Sequence, residues 1–259
     1  MKTFKSYAKV NIFLKIANKR DNYHELVSRF IRVHNLFDKM SFVKTNKKAM
    51  DIIGDFGCNL ESNTVYKAYN LLKHYKSVEE FFKIYSVKVE KNIPEFAGLG
   101  GGSSNAATFL IMVNEYCNLN LSKDELCDIA VQIGADVPFF VYEYDSANVR
   151  GIGEIVEKFD EEILDIDTIT PKIQCNTGKI FNVFREKFYK QISKEEENRL
   201  IKLNSKEILK EFNIYEANDL YQAAITIEPK LQEYEKNNWY FSGSGSSFFK
   251  VNNGKEKRS

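Results

Sequence analysis

Fourteen residues constrain this chain more than any others: PEFAGLGGGSSNAA at positions 94–107, where four glycines, two serines and an asparagine lead into an apolar run at 106–113. Just ahead, Tyr85, Val87 and Val89 alternate with polar residues, the period-2 pattern of a half-buried strand. The order is strand, glycine-rich loop, helix. Such a loop turns backbone N–H groups outward at a helix N-terminus, where the macrodipole adds roughly half a positive charge. Glycine also lets the backbone adopt positive φ and approach an anion closely. The fitting guest is an oligophosphate. A mere flexible linker would not be framed by a clean strand and an apolar helix. No Gly-Lys-Ser/Thr follows, which excludes a Walker loop, and Ser103 stands where a dinucleotide G-x-G-x-x-G would need its last glycine.

The remaining composition narrows the classes of partner. A length of 259 residues admits one large domain or two ordinary ones. A net charge of +1 argues against a general polyanion binder, so no nucleic-acid partner is expected and nucleotide chemistry must come from a local site. Cys58, Cys117, Cys127 and Cys175 show no C-x-x-C spacing and read as free, mostly buried thiols in a reducing cytoplasm. His24, His34 and His74 are scattered, against a zinc cluster. Lys2, Lys5 and Lys9 interrupt any apolar leader, and no apolar run is long enough for a bilayer, so neither a signal peptide nor a membrane association is expected.

Along the chain, Phe4, Ser6, Ala8, Val10, Ile12, Leu14 and Ile16 occupy one parity of a long strand, and Lys9 and Asn11 share the other. A strand lysine is most often a solvated charge; here its neighbours are largely apolar and Asn11 lies beside it. Arg20-Asp21-Asn22 reads as a turn before a second strand to about His34, and 39–57 as short strands around a basic tip at 44–48. On its own, His24 reads as an ordinary histidine with satisfied hydrogen bonds. Thr64 is expected to cap a helix, and Ser122 with Glu125, like Ser193 with Glu196, has capping-box spacing. Gly134 is expected as a helix-ending C′ residue. Gly134-Ala135-Asp136-Val137-Pro138-Phe139-Phe140 then places Asp136 at a sharp exit from a helix into an apolar strand. A carboxylate among Ala, Val, Pro and Phe is costly without a partner or a purpose. A turn-forming Asp is the plain explanation; a general base or charge partner for a substrate hydroxyl is the sharper one. A further strand is expected at 171–176, helices after Thr177-Gly178, Ser193, Asn218 and Pro229, a serine-glycine turn at 242–247, and a fraying polar tail at 254–259.

Together these segments resemble the GHMP kinase superfamily, with its three motifs in order: the N-terminal strand, Gly98 through Ala107, and Ser242-Gly243-Ser244-Gly245. Ala8-Lys9-Val10-Asn11, Tyr23-His24-Glu25-Leu26, the Gly134–Phe140 segment and Gly151-Ile152-Gly153-Glu154 narrow the likeness to the branch whose acceptor carries a cytidine diphosphate. The resemblance runs from about residue 6 to 250. It implies an α+β, two-lobed GHMP kinase fold, with a ribosomal protein S5 domain 2-like nucleotide lobe at 1–150 and a ferredoxin-like lobe at 151–259 that contributes to the substrate site. It further implies a cytoplasmic, ATP-dependent, Mg²⁺-requiring kinase acting on the 2-hydroxyl of 4-diphosphocytidyl-2-C-methyl-D-erythritol, as a monomer or weak homodimer.

By resemblance, Lys9 and Asp136 are the catalytic pair, Asp136 accepting or orienting the hydroxyl proton and Lys9 countering charge beside it. Pro94, Ala97, Gly98, Leu99, Gly100, Gly101, Gly102, Ser103, Ser104 and Asn105 would hold the nucleotide, with Ser103 or Ser104 as a metal ligand; the metal ligands are otherwise unassigned. Tyr23 and Phe181 would sandwich the cytosine and His24 would read it, with Asn11 and Thr177 also on the substrate side. Stacking of this kind contributes about 1–3 kcal/mol per base. One departure is Phe96, where the family more often has glycine. Two rivals are a superfamily kinase for a smaller acceptor, which would need no cytosine clamp, and a binding module without catalysis, which would be expected to have lost Lys9 or Asp136.

Overall fold

The computed structural model describes residues 1–20, 23–47 and 49–252, without the side chains of Lys19, Arg20, Tyr23 and His24. The turn expected at Asp21-Asn22, the end of the basic tip at Lys48 and the tail at 254–259 lie outside the described residues. The chain forms two compact units that interleave in sequence: Met1–Ala8, Leu36–Glu95 and Gly100–Glu143 make the first, and Lys9–Asn35, Phe96–Leu99 and Tyr144–Ser259 the second.

Two long strands, β1 (Phe4–Arg20) and β2 (Tyr23–Lys44), pair with each other and run through both units. In the first unit, the C-terminal part of β2 pairs antiparallel with β4 (Tyr85–Glu90), from Lys39↔Glu90 to Lys44↔Tyr85. The short β3 (Ile52–Ile53) lies parallel to β4. Residues 39–44 are thus the continuation of β2 and not a separate strand. Helices α1 (Thr64–Leu72), α2 (Lys76–Phe82), α3 (Gly101–Tyr116), α4 (Lys123–Val131) and α5 (Val137–Tyr142) complete the unit. From Ser104 to Leu110 every residue of α3 is buried, and so are Met112 and Val113, as expected of a helix packed on nearly all sides. Phe42 gathers Phe81, Phe82, Phe109 and Tyr116 edge-on at centroid distances of 4.8, 5.8, 6.5 and 5.4 Å, favourable geometry for aromatic quadrupoles.

Three local expectations change here. Asn63, not Thr64, caps α1 by accepting the Val65 N–H at 2.9 Å, which leaves the Thr64 hydroxyl to donate to the Gly102 carbonyl at 2.6 Å. Gly134 has no left-handed role, because α4 already ends with Gln132 as its cap. Residues 137–142 form helix α5 and not a strand: Pro138 is compatible with a first helical turn, and Val137, Pro138, Phe139, Phe140 and Val141 are all buried. The capping box of Ser122 and Glu125 forms as expected.

In the second unit, the N-terminal part of β2 pairs antiparallel with β5 (Ser146–Gly151), and β5 with β6 (Ile155–Lys158). A separate antiparallel sheet has the order β7 (Ile166–Ile169), β9 (Phe248–Val251), β8 (Tyr240–Phe241). The strand expected at 171–176 therefore lies earlier, at β7, ending before Pro171, which has no N–H to give a ladder. Helices α6 (Thr177–Val183), α7 (Lys194–Leu200), α8 (Ser205–Glu211), α9 (Ile214–Ala217) and α10 (Tyr221–Ile227) belong to the same unit. Ser193 caps α7 but Glu196 does not reciprocate; it pairs with Arg199 instead, at 2.7 Å. Leu14 and Ile16 of β1 pack with Ile180, Phe184, Leu220, Tyr221, Phe241 and Phe248 in the apolar core of this unit.

Candidate active site

Lys9 and Asn11 sit on the parity of β1 opposite Val10 and Ile12, yet both parities are buried: Lys9 is 3% and Asn11 2% exposed. A buried ammonium has to be met by polar or π-rich groups. The Lys9 Nζ donates to Asn11 Oδ1 at 2.7 Å and lies 4.4 Å from the Phe30 ring centroid. Asn11 Nδ2 donates to Ser28 Oγ at 2.9 Å, and the Ser28 hydroxyl donates onward to the Phe13 carbonyl. This relay fixes the lysine head through the side chains of Asn11 and Ser28. Its main chain is fixed as well, since the Lys9 N–H donates to the Leu99 carbonyl at 2.9 Å.

That last bond ties the first motif to the glycine loop. Loop residues Ala97, Gly98 and Leu99 belong to the same unit as Lys9. The Ala97 carbonyl accepts the Ser247 N–H at 3.1 Å, and the Gly98 carbonyl accepts the Ser242 hydroxyl at 3.0 Å. Gly98 has φ +72°, and a Cβ there would stand 2.1 Å from the Ser242 carbonyl oxygen, so any side chain would push the loops apart. Gly243 answers from the other side with φ +57°; a Cβ on it would meet the Gly98 carbonyl at 3.1 Å and Asn11 Oδ1 at 3.5 Å. Three motifs far apart in sequence therefore meet, largely backbone to backbone. Thr177, the first residue of α6, joins them through a 2.7 Å hydroxyl contact with Ser244. Phe181, one turn later, is partly buried against the unit's core.

Within the first unit, Gly100 is the left-handed N-cap of α3 and, having no side chain, leaves the first-turn N–H groups of Gly101, Gly102 and Ser103 uncapped by it. Ser103 is half-buried, whereas Ser104 is buried and its hydroxyl accepts from Ser6 at 2.7 Å. Asn105, 2% exposed, is held inside the wall of the loop by hydrogen bonds to Ser6, Asp38 and Lys91. Pro94 is exposed. Asp136 is the half-exposed residue preceding α5, with φ −83°, and its side chain does not cap that helix. The backbone of Tyr23 and His24 opens β2, but their side chains lie outside the described residues.

Residues 63–144 match the model of the GHMP kinases N-terminal domain. A relative from Sulfurimonas denitrificans named 4-diphosphocytidyl-2-C-methyl-D-erythritol kinase is 52% identical over 258 residues, covering 97% of each chain. Another of that name, from Sulfurovum, is 43% identical over 97% of this chain and 99% of its own. The chain belongs to the 4-diphosphocytidyl-2-C-methyl-D-erythritol kinase family. A solved 4-(cytidine 5'-diphospho)-2C-methyl-D-erythritol kinase shares the architecture with a TM-score of 0.75 at 26% identity, covering 98% of this chain and 91% of that one. A mevalonate kinase matches at 0.65 with 15% identity, over 98% and 92%, a likeness of fold alone. The expected GHMP kinase fold is present.

Several buried polar residues that hold these elements together carry no signal in the sequence. Asn218, 2% exposed, donates through Nδ2 to the carbonyls of Phe241 at 3.0 Å and Gly243 at 2.9 Å, holding the 242–247 loop from behind. Asp38, fully buried, accepts the N–H groups of Asn92 at 2.6 Å and Ile93 at 2.8 Å, immediately before Pro94. Arg29, also fully buried, donates to Asn148 at 2.7 Å and to the Ile201 and Leu203 carbonyls at 3.1 and 3.2 Å, with Glu161 3.5 Å away. Burial draws the Arg29 guanidinium down to about 10, against the pull of Glu161. A lone Asp, Asn or Arg in an apolar strand announces a cost but not its partners. Among the described residues no group of three His, Cys, Asp or Glu side chains could hold a metal ion.

Proposed function

We propose that this chain transfers the γ-phosphoryl group of ATP to the 2-hydroxyl of 4-diphosphocytidyl-2-C-methyl-D-erythritol, in the non-mevalonate route to isoprenoid precursors. The observation that carries this is a 52% identity to a kinase of that name across 97% of both chains. The Lys9, Gly98 and Ser242 junction supports it, because it is a rigid frame for an anion-binding loop.

The nucleotide phosphates would rest on Ala97, Gly98, Leu99, Gly100, Gly101, Gly102 and Ser103, where the α3 N–H groups and dipole favour negative charge. With Ser104 and Asn105 hydrogen-bonded into the wall, their part is to hold that surface in place. Mg²⁺ would be held chiefly by the phosphates, with the half-buried Ser103 hydroxyl the better placed of the two serines to reach it. Bound there, the ion supplies neutralisation of charge on the transferring group. Asp136 accepts or orients the proton of the attacking hydroxyl, and Lys9, held by Asn11 and Phe30, presents a positive charge to the reacting groups. Tyr23 and Phe181 clamp the cytosine and His24 reads its edge, while Asn11 and Thr177 face the substrate. The partner is a small molecule in the cytoplasm, met by a monomer or weak homodimer. Among the described residues no helix is long and apolar enough to cross a membrane.

The test is ADP release with Mg-ATP and a panel of acceptors: 4-diphosphocytidyl-2-C-methyl-D-erythritol, the same polyol phosphate without cytidine, mevalonate, galactose and homoserine. Turnover with the first alone is expected. Turnover with another acceptor instead would overturn the substrate, and ATP binding without turnover on any would overturn the kinase reading.

A further inference from the structure

The glycine loop leaves β4 at Glu90 and reaches α3 at Gly101, and both ends converge on one carboxylate. Asp38, on β2 and 0% exposed, takes four donors. Its Oδ1 accepts the main-chain N–H groups of Asn92 at 2.6 Å and Ile93 at 2.8 Å, where the loop begins. Its Oδ2 accepts Lys91 Nζ at 2.5 Å and Asn105 Nδ2 at 2.9 Å, the latter in the second turn of α3 where the loop has ended. The same Asn105 amide accepts from Lys91 Nζ at 3.0 Å and donates to Ser6 Oγ at 2.9 Å, and Ser6 donates to Ser104 at 2.7 Å. All these residues lie within the first unit.

A buried carboxylate is costly unless its lone pairs are matched, and here every donor comes from one margin of the loop or the other. Between those margins the chain takes left-handed φ values at Phe96, Gly98 and Gly100 and has no regular hydrogen-bond ladder of its own. A loop that must present N–H groups to phosphate has to be stiffened from outside. We infer that Asp38 is a positioning residue for the nucleotide loop: it touches no substrate, but by bolting both loop ends to β2 it sets the aim of the first-turn amides of α3 and hence the affinity for Mg-ATP. The inference rests on the nucleotide-binding part of the proposed function.

Asp38→Asn keeps the shape but turns an amide N–H₂ toward Lys91 and Asn105, which are both donors. Calorimetric titration of the full chain should then show a Kd for Mg-ATP raised at least tenfold, with the Kd for 4-diphosphocytidyl-2-C-methyl-D-erythritol within about threefold. Amide hydrogen exchange should accelerate at 92–104 and not in α4 or α8. Ser6→Ala, a milder change that acts only through Asn105 and Ser104, should raise the Mg-ATP Kd about threefold and serves if Asp38→Asn does not fold. Unchanged Mg-ATP affinity in a folded variant, or equal losses for both ligands, would overturn the inference in favour of plain scaffolding. Wild-type protein that binds no Mg-ATP would overturn it along with its premise; wild-type protein that binds Mg-ATP yet phosphorylates no acceptor overturns only the proposed reaction.

Discussion

Asp136 is half-exposed and precedes α5 without capping it. If it accepts or orients the substrate proton, Asp136→Asn should lower kcat by about 10²–10⁴-fold and leave both KM values within a few-fold, read by steady-state kinetics. Phe181 stands differently, because it is partly buried in the core around Phe184 and Tyr221. Phe181→Ala should raise KM for the cytidine substrate while lowering the melting temperature, and Phe181→Leu should keep the stability but not the stacking. The thiols give a third test at this scale. Burial pushes Cys117, Cys127 and Cys175 up to about 11, whereas Cys58 is exposed and raised less. At pH 7.5 a thiol reagent should label Cys58 first, and the other three only on unfolding, as counted by intact mass.

At the scale of the element, the strand–loop–helix unit was readable because period-2 alternation, glycine and a helix start have direct physical meanings in one dimension. Helix α5 was not, since five buried residues in a row have no period to separate helix from strand. Lys9 and Asn11 were legible as unusual but not as buried, because one parity of β1 already looked like the whole apolar face. Asp38 and Asn218 were illegible, as their partners are supplied by loops remote in sequence. Phe96 joins both kinds of information. It stands where the resemblance more often implies glycine, and it is 59% exposed at φ +53°, a conformation that disfavours a side chain by about 1–3 kcal/mol. Phe96→Gly should therefore raise the melting temperature by a few degrees, measured by calorimetry. The α4 capping box makes the pH prediction. The Ser122 N–H and hydroxyl hold the Glu125 carboxyl below its usual range. Its contribution is complete above the ordinary carboxylate pKa and is lost as pH falls through the depressed value; acid titration of wild type against Glu125→Gln should converge at low pH.

For the whole molecule, the two compact units are not two lengths of chain. The second contains Lys9–Asn35, so its apolar core includes Leu14 and Ile16 from β1, and Arg29 from β2 donates to the carbonyls after α7. A fragment spanning 144–259 lacks these residues and should show no cooperative thermal transition by circular dichroism. The likeness to mevalonate kinase at 15% identity says that this architecture tolerates wide change in its side chains. The junction of Gly98 with Ser242 and Gly243 is a different matter, since carbonyls and α-carbons supply most of its contacts. At Gly98 and Gly243 substitution can add atoms but cannot trim any, and an added Cβ at position 98 would collide at 2.1 Å. A compound seated against those two glycines would meet a surface with no mutational give: the changes needed to evict the inhibitor there are the ones that would dismantle the loop, and resistance would have to arise elsewhere.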